Sequence, residues 1–510
     1  MISLKRIFYF IGLCLIQMGD GYIKLSTTTL LIPLLVSQLK LPVEYANLVF
    51  GTGIGFVAFI VQPILGTLSD NCTSKFGRRK PFLFLGTILS AIGMGLMGES
   101  PRIGILLGDT EMDSSQNDSS LSISGNDMET ISLHVYGLIV ALIGSIVAII
   151  GHSFLIVTAK ALVSDIVVTE EQPAVQLVGV MMLRLNDLVY YLFAALLSQS
   201  KYFYDIVYGI GIVTVIITAI VTLCVAKEEQ WKTKTSCGKQ MISIGSAIKH
   251  CPKKMIILFA ITFVFFIGMG PYLMNINNFV GVNLFHGNSL ENDDKYNKGI
   301  QMSLYSLALA SFIAAICSFV FPLILHGKEM IFHISGIFFL MIAMLGYVGL
   351  NYIAQLTQVS QTVISVLLAC IGTILQISMI VPFATPLAVF KKVCPQRQMG
   401  VYTGMLMSLV MLANMISSFI SGILIDAFDD TVSVFIYESV CMFIAFLLSF
   451  IMIYVNKETK SVEELNSYQS MDTTSMIERV DLDYQQFDDS ENYHNAISTE
   501  ERFDENSSLL

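Results

Sequence analysis

The sequence predicts an all-α membrane protein with twelve transmembrane helices, arranged as two pseudo-symmetric halves of six helices. Charged residues make up only 13% of the chain, whereas soluble domains carry roughly 25%. Apolar runs long enough to cross ~30 Å of hydrocarbon recur along nearly the whole chain. These runs are continuous rather than alternating, which favours helices over a membrane β-barrel. The predicted spans are 7–37, 45–68, 80–98, 134–164, 175–198, 202–226, 255–280, 300–325, 330–353, 360–390, 399–426 and 432–455.

The pattern divides the chain into four regions. Two six-helix halves, 1–226 and 255–455, are joined by a lysine-rich linker, 227–254, which we expect on the cytoplasmic side. The tail, 456–510, is polar, and we expect it to be disordered. It carries 14 acidic and four basic residues, which account for the whole net charge of −10. The net charge therefore says nothing about a substrate, and we expect no nucleic-acid partner. The first, fourth and tenth runs are overlong, so they are tilted or interrupted.

Basic residues are concentrated in the loops after the second, sixth and tenth spans. Because positively charged loops stay in the cytoplasm, both termini are predicted to be cytoplasmic. The acidic loop 99–133 lies on the opposite side, where the sequon at Asn117 predicts glycosylation. The basic loop residues are Lys75, Arg78, Arg79, Lys80, Lys227, Lys232, Lys234, Lys239, Lys249, Lys253, Lys254, Lys391, Lys392 and Arg397.

Several classes of function are disfavoured by what the sequence lacks. Its nine cysteines are scattered without a C-x-x-C pair, so we expect neither a disulfide framework nor a metal site. There is no phosphate-binding loop, no paired metal-ligand spacing and no nucleophile elbow. We therefore expect neither an ATP-driven pump nor a membrane enzyme, and no cofactor.

The segment 61–82 reads VQPILGTLSDNCTSKFGRRKPF and joins the second and third spans. Gly66 lets two helices approach closely. Gly77, after the end of the second span, permits a tight turn. The basic residues that follow can pair with the aspartate or with helix C-termini. Such a latch, made in one conformation and broken in another, would bias a two-state equilibrium. The arginines also serve as topology determinants, and the two interpretations are compatible. The predicted latch residues are Asp70, Gly77, Arg78, Arg79 and Lys80.

This segment resembles the cytoplasmic signature of the major facilitator superfamily. More narrowly, it resembles the plant sucrose–proton symporters and their animal sugar-transporter relatives, of the glycoside–pentoside–hexuronide type. Weaker similarities lie at 159–165, 271–281, 299–302, 382–384 and 399–401. The resemblance implies two halves that rock around a solute site near the midplane. It also implies sugar transport coupled to protons.

The chain departs from that family at its proton-carrying acids. The resemblance would place carboxylates near Ile149, Ile276 and Asn278, and an arginine where this chain has Lys160. The acids that carry protons in the family are therefore missing or moved here.

Two pairs of opposite charge lie within predicted spans. Asp20 and Lys24 are one helical turn apart in the first span, and Arg184 and Asp187 are three residues apart in the fifth. Charges inside a membrane are costly and usually functional. Either each pair is a self-neutralising bridge that lets its helix insert, or Asp20 or Asp187 binds a proton and exchanges its cation partner. The proton-coupling candidates are Asp20, Asp187 and Arg184.

Other polar residues in the spans are candidates for binding the solute. Lys160 could donate hydrogen bonds to substrate hydroxyls or to a substrate carboxylate, or it could form an interhelical bridge. If it faces the cavity without an acidic partner, an anionic substrate is favoured. The glycines and proline at 268–271 are predicted to break the polar seventh span. Neutral amides suit hydroxyl-rich ligands, although each could instead join two helices. His152 is expected to be a packed interior histidine. The substrate-binding candidates are Lys160, Asn275, Asn277, Asn278, Gln301, Gln376 and Asn414, with Ser378 beside them.

The tail contains short patterns that resemble sorting signals read by clathrin adaptors. Glu505 with Leu509 and Leu510 fits the acidic dileucine pattern, and Tyr468 and Tyr484 fit the tyrosine-based pattern. They suggest traffic through endosomes to lysosome-like membranes, and the alternative is a solvated acidic tail. The sequence leaves open the plasma membrane or an endosomal or lysosomal membrane.

The sequence therefore indicates a secondary active or facilitative transporter that works by alternating access in a lipid bilayer. The favoured solute is neutral and hydroxyl-rich, a sugar, moved either together with protons or by facilitated diffusion. The alternatives are another small solute, such as an amino acid, nucleoside or organic anion, or a sensor derived from a transporter that no longer moves solute.

Overall fold

A computed structural model describes helical segments at all twelve predicted spans. It describes residues 4–31, 34–41, 55–109, 134–197, 200, 202–228, 230, 245, 248–249, 251–287, 294–324, 328–356, 359–394, 399–428 and 430–451, and no β-strand occurs within them. The predicted fold class is confirmed. The glycosylation sequon at Asn117 and the sorting residues Tyr468, Tyr484, Glu505, Leu509 and Leu510 lie outside the described residues, as does most of the linker.

The first span consists of several helical pieces and the other eleven each have one main helix. The first comprises Leu4–Cys14 and Ile16–Leu25 with π-helical turns at Ser26–Leu30 and Leu34–Gln38. The others, in order, are Gly55–Asp70, Lys80–Gly98, Val135–Ile166, Gln172–Leu197, Phe203–Val225, Lys253–Phe279, Asp294–Ile324, Glu329–Ala354, Gln361–Val393, Met399–Phe428 and Val432–Ile451. Of these, ten are long and apolar enough to cross a membrane, and Gly55–Asp70 is a shorter apolar helix.

The overlong runs behave in two ways. The first span is interrupted at Leu15, as the sequence allowed. The fourth and tenth spans are unbroken helices of 32 and 33 residues. At ~1.5 Å per residue, such helices exceed the ~30 Å hydrocarbon layer. Their ends therefore project beyond the hydrocarbon, where they carry Asp165 and Lys391.

The predicted break in the seventh span at 268–271 is wrong, because the helix Lys253–Phe279 passes through its proline without interruption. A proline inside a helix leaves the carbonyl four residues earlier without its donor. Here that carbonyl belongs to Ile267, and the hydroxyl of Ser417 in the eleventh span donates to it. A neighbouring helix thus satisfies the freed group, as is usual in membrane proteins. The irregular backbone lies further on, in a π-helical turn at Val280–Leu284.

The largest contacts between the two halves are made by two pairs of helices. The second span packs against the eleventh, and the fifth packs against the eighth. Large apolar side chains such as Phe84 in the third span and Ile220 in the sixth are more than half exposed. An outer surface of this kind is suited to lipid rather than water. We call the end of the bundle that carries Arg78, Arg79 and Lys391 the basic end.

Candidate functional site

A central cavity lies where the two halves meet. The first, second, fourth and fifth spans line it from one half, and the seventh, tenth and eleventh line it from the other. Part of its wall is polar and the rest is aliphatic, sulfur-containing or aromatic. The polar lining residues are Lys24, Thr27, Thr28, Thr29, His152, Arg184, Asp187, Tyr191, Asn414 and Ser418. The apolar ones are Leu25, Ile149, Leu183, Phe266, Met269, Met379, Phe383, Met411 and Met415.

Arg184 connects the two halves across this cavity. Its Nη1 lies 3.1 Å from Oδ2 of Asp187, one turn along the same helix. The same nitrogen donates to Oε1 of Gln376 in the tenth span, and the guanidinium lies 5.9 Å from the ring centre of Phe383. The i,i+3 pairing expected from the sequence therefore forms. The contact with Gln376 could not be read from the sequence, because the residues are 192 positions apart.

Lys24 shares the electrostatic environment of this pair. It lines the cavity and interacts electrostatically with Asp187, Asp20 and Arg184. Two cationic side chains, Lys24 and Arg184, therefore face the cavity together with one carboxylate, Asp187. In a low-dielectric cavity such an imbalance attracts negative charge or strongly polar groups.

Asp20 pairs with a histidine rather than with Lys24. Its Oδ1 lies 2.7 Å from Nδ1 of His152 in the fourth span, and both side chains are buried. Among the described ion pairs, none joins Asp20 to Lys24, although the two are one turn apart. His152 is fully buried, as expected, but it also faces an aspartate and lines the cavity. The expectation of an interior histidine therefore agrees with the structure, and a role in coupling stays untested. No local pattern could have paired residues of the first and fourth spans.

Lys160 is not among the residues that line the central cavity. Its Nζ donates to Oε1 of Gln17 in the first span at 2.6 Å, in a buried position. This is the interhelical bridge that the sequence left as an alternative. A role in binding solute would need Lys160 to exchange this partner.

The other predicted binding residues are divided between the cavity and contacts elsewhere. Asn414 lines the cavity. Gln376 is not a lining residue, but it accepts a hydrogen bond from Arg184, which lines the cavity. The remaining candidates make other hydrogen bonds, and their role as solute ligands stays a prediction. Asn275 donates to the carbonyl of Pro271, Asn277 accepts from Ser303, Asn278 accepts from Tyr296, Gln301 donates to the carbonyl of Ala195, and Ser378 donates to the carbonyl of Ile374.

At the basic end, Asp70 joins the two halves directly. Its carboxylate accepts hydrogen bonds from the backbone N–H groups of Gly400 and Val401, both at 2.9 Å. These groups open the eleventh span, so the aspartate sits at a helix N-terminus, where negative charge is stabilised. Gly66 makes this approach possible, because a Cβ there would lie 2.6 Å from the carbonyl carbon of Gly400.

Arg79 holds the carboxylate of Asp70 from the other side. It is fully buried, and its Nη2 lies 2.5 Å from Oδ1 of Asp70. It also contacts Oδ2 of Asp165 at 2.9 Å and Oγ of Ser69 at 2.5 Å. Arg78 reaches the same Asp165 at 2.7 Å. The segment 61–82 therefore forms a buried charge network that ends on the opposite half.

A glutamate after the sixth span anchors the turn of this segment. Glu228 accepts from the backbone N–H groups of Arg79 and Lys80, each at 3.0 Å, and so caps the third span. Gly77 adopts a φ of 106° and leaves room for the glutamate, because a Cβ there would lie 2.5 Å from that of Glu228. Burial raises the pKa of Glu228 above its ordinary value, and the two N–H donors oppose this shift. Lys391 adds a second link between halves by donating to the carbonyl of Ser164.

Comparison with known proteins supports the same architecture. The family model described as Major Facilitator Superfamily matches residues 9–385. Sucrose transport protein SUT5 of Oryza sativa subsp. indica is 23% identical over 343 residues, which are 62% of this chain and 61% of that protein. The chain thus spans about three fifths of the length of the first curated relatives that it matches. Sucrose transport protein SUC3 of Arabidopsis thaliana is 48% identical over 52 residues, 10% of this chain and 9% of that protein.

Solved structures share the fold at low identity. The proton:xylose symporter XylE, bound to 6-bromo-6-deoxy-D-glucose, has a TM-score of 0.59 and 14% identity, over 88% of this chain and 96% of that one. The human organic anion transporter MFSD10 has a TM-score of 0.57 and 14% identity, over 88% of this chain and 100% of that one. Because the family model covers most of the sequence, the chain belongs to the major facilitator superfamily, a family of integral membrane transporters rather than enzymes.

Proposed function

We propose that this chain carries a sugar or a similar hydroxyl-rich solute by alternating access, together with a proton. The observation that supports this most is the central cavity, whose lining combines hydroxyl, amide and charged groups with aromatic rings. The curated relatives are named sucrose transport proteins, which favours a sugar within this broad class.

The polar residues that line the cavity suit a ligand with many hydroxyl groups. Asp187 can only accept hydrogen bonds when ionised, and Lys24 and Arg184 can only donate them, whereas Asn414 can do both. A sugar hydroxyl donates and accepts, so it can satisfy all of these groups. The rings of Phe266 and Phe383 can cover the apolar face of a sugar.

The latch gives the alternating-access cycle one closed end. With Asp70 bonded to Gly400 and Val401, and Lys391 bonded to Ser164, the halves are held together at the basic end. We propose that this end faces the cytoplasm, because basic loops are retained there. Solute would then enter the cavity from the opposite side and leave after these bonds break.

The proton would be carried by carboxylates next to the cavity. Asp187 faces Arg184 and interacts with Lys24, and Asp20 faces His152. Protonation of Asp187 would free Arg184 to change its partner as the halves move. A proton shared between Asp20 and His152 would change its position with the same motion.

Uptake into proteoliposomes tests this proposal. A radiolabelled panel of sucrose, maltose, glucose and mixed amino acids would be offered with and without an inward proton gradient. We expect sugar uptake that rises with the gradient. Asp187→Asn should lower sugar uptake roughly 10- to 100-fold, because hydrogen bonds to a charged group are worth about 1.5–3 kcal/mol. Asp294→Asn, at an exposed aspartate, is the matched control. No sugar uptake by folded protein would reject the sugar and favour another solute or a non-transporting sensor.

An organic anion is the second candidate, because two cations and one carboxylate face the cavity. A carboxylate on the solute would balance this charge. If anions are the natural solute, Lys24→Gln should abolish the uptake of a monocarboxylate in the same vesicles. Any uptake of a neutral sugar should be unaffected. Equal loss of both would instead mark Lys24 as part of a sugar site.

We also propose that the tail directs the protein to endosomal or lysosomal membranes through clathrin adaptors. Glu505, Leu509 and Leu510 form the strongest of the three signals. Replacing Leu509 and Leu510 with alanine should move the protein to the plasma membrane, as seen by microscopy of a tagged chain. An unchanged location after deletion of 456–510 would reject this proposal.

A further inference from the structure

The last span contains a buried acid that has no cation beside it. Glu438 lies near the start of the twelfth span and is fully buried. No described side chain donates a hydrogen bond to its carboxylate oxygens, and no described salt bridge includes it. The backbone N–H of Tyr272 is a hydrogen-bond donor beside it. It does not line the central cavity. The proposed solute site therefore does not account for this residue.

Two tyrosine hydroxyls are its neighbours on the adjacent helices. Tyr272 of the seventh span and Tyr347 of the ninth are buried, and their hydroxyl oxygens lie 3.1 Å apart. Both interact electrostatically with Glu438. Tyr437 and Cys441 on its own helix are the other titratable groups in this range. Among the described residues, the neighbours of Glu438 thus offer exchangeable protons but no positive charge.

An aromatic cluster covers this group of residues. The ring centre of Phe435 lies 4.6 Å from that of Phe279 and 5.3 Å from that of Tyr347. All three side chains are buried. Without water or a cation, an ionised carboxylate is strongly destabilised, whereas the neutral carboxyl is tolerated. In this conformation Glu438 is therefore expected to hold a proton.

We propose that Glu438 is a proton-binding site in the second half of the transporter, with the hydroxyls of Tyr272 and Tyr347 as its path for proton exchange. The carboxylate takes a proton from water to become a carboxyl, and the same proton returns to water when the site opens on the other side. No other reactant is needed. This inference rests on the proposed proton-coupled transport.

The seventh span connects this site to the solute cavity. Met269 and Gly270 line the cavity, and Tyr272 lies on the next part of the same turn. Tyr272 interacts electrostatically with both Glu438 and Arg184. A movement of the seventh span on solute binding would therefore change how well Glu438 is shielded from water. Since a charged carboxylate is favoured only when water reaches it, the protonation of Glu438 would be linked to the position of this helix.

The test is gradient-driven accumulation against solute exchange in proteoliposomes. Glu438→Gln imitates the protonated form and cannot release a proton. We expect it to lose the part of the accumulation that the proton on Glu438 drives, about tenfold for a one-unit inward pH gradient, while exchange of labelled for unlabelled solute continues. Ser439→Ala is the matched control, because this buried hydroxyl bonds only within its own helix. A variant that still accumulates solute as the wild type does would refute the proposal.

Infrared spectroscopy provides a readout that does not depend on transport. The difference between wild type and Glu438→Gln at neutral pH should contain the C=O band of a protonated carboxyl. A carboxylate band instead would show that Glu438 is ionised and would overturn the proposal. If the wild type moves no solute at all, the proposed function fails, whereas the infrared result still decides whether Glu438 holds a proton. If the glutamine variant does not fold, the pH titration of this band in the wild type and in Tyr347→Phe decides instead: a band that does not titrate refutes the proposal.

Discussion

Replacing Asp70 with asparagine should open the basic end of the transporter. Asp70 and Arg79 both belong to the first half, so their ion pair survives when the halves rock. The bonds to the N–H groups of Gly400 and Val401 cross between halves and exist only while this end is closed. Asp70→Asn keeps the shape of the side chain but leaves one oxygen acceptor in place of two, and it removes the charge. The variant therefore weakens the closed conformation selectively.

The size of the effect follows from these contacts. A hydrogen bond to a charged group contributes about 1.5–3 kcal/mol, and a negative charge at a helix N-terminus adds about 0.3–1 kcal/mol. Since the side chain of Asp70 is only 3% exposed, solvent screening weakens these interactions only slightly. Loss of roughly 2–4 kcal/mol would shift the ratio of closed to open protein by roughly 30- to 700-fold. The weakened pair with Arg79 affects both conformations and should appear separately, as a lower melting temperature.

A native cysteine reports on the opening. Cys394, at the end of the tenth span, is 6% exposed while the basic end is closed. We expect a water-soluble maleimide to label it much faster in Asp70→Asn than in the wild type, as measured by peptide mass spectrometry. Cys72, already partly exposed in the loop after the second span, is the internal reference.

The control is Lys75→Gln, which also changes one charge in the same loop but at an exposed position. It should leave the labelling of Cys394 unchanged. If Asp70→Asn also leaves labelling unchanged in folded protein, the bonds to the eleventh span do not hold this end closed. The reasoning about the latch would then be refuted.

Two further substitutions test the neighbouring contacts. Gly66→Ala should separate the second and eleventh spans, because its methyl group would collide with the backbone of Gly400. The variant should therefore have a lower melting temperature. The control is Gly422→Ala, where the methyl group meets open space, and it should not lower the melting temperature. Glu228→Ala removes the acceptor for the first N–H groups of the third span and should cost about 0.5–2 kcal/mol, as loss of a helix cap does. Thermal unfolding in detergent measures it, and a stability equal to that of the wild type would show that water replaces the carboxylate.

Local patterns predicted the ion pairs of Asp70 with Arg79 and of Arg184 with Asp187, because the residues involved are close in sequence. Asp70 and Arg79 are nine residues apart on either side of a glycine turn, and Arg184 and Asp187 are on one helical face. Their partners across the interface are far away in sequence: Gln376 is 192 residues from Arg184, and Gly400 is 330 residues from Asp70. Nothing in a single sequence records these distances.

The same limit explains what was missed. Glu438 has no oppositely charged residue three or four positions away, so a search for local charge pairs passes over it. The pairing of Asp20 with His152 depends on how the first and fourth spans lie against each other. The seventh span was predicted to break because proline removes a backbone donor; the compensating hydroxyl of Ser417 lies on another helix and is visible only in the fold.

Four thioether sulfurs, those of Met269, Met379, Met411 and Met415, form part of the wall of the central cavity. Methionine side chains are unbranched and polarizable, and they change shape at little energetic cost. We expect the methionine side chains to accommodate solutes of several shapes, so that selectivity depends on the polar lining residues. Oxidation of these sulfurs to sulfoxides would turn an adaptable apolar surface into a polar one. The transporter would then be sensitive to peroxide from within its own substrate path, and enzymatic reduction of the sulfoxides would restore it.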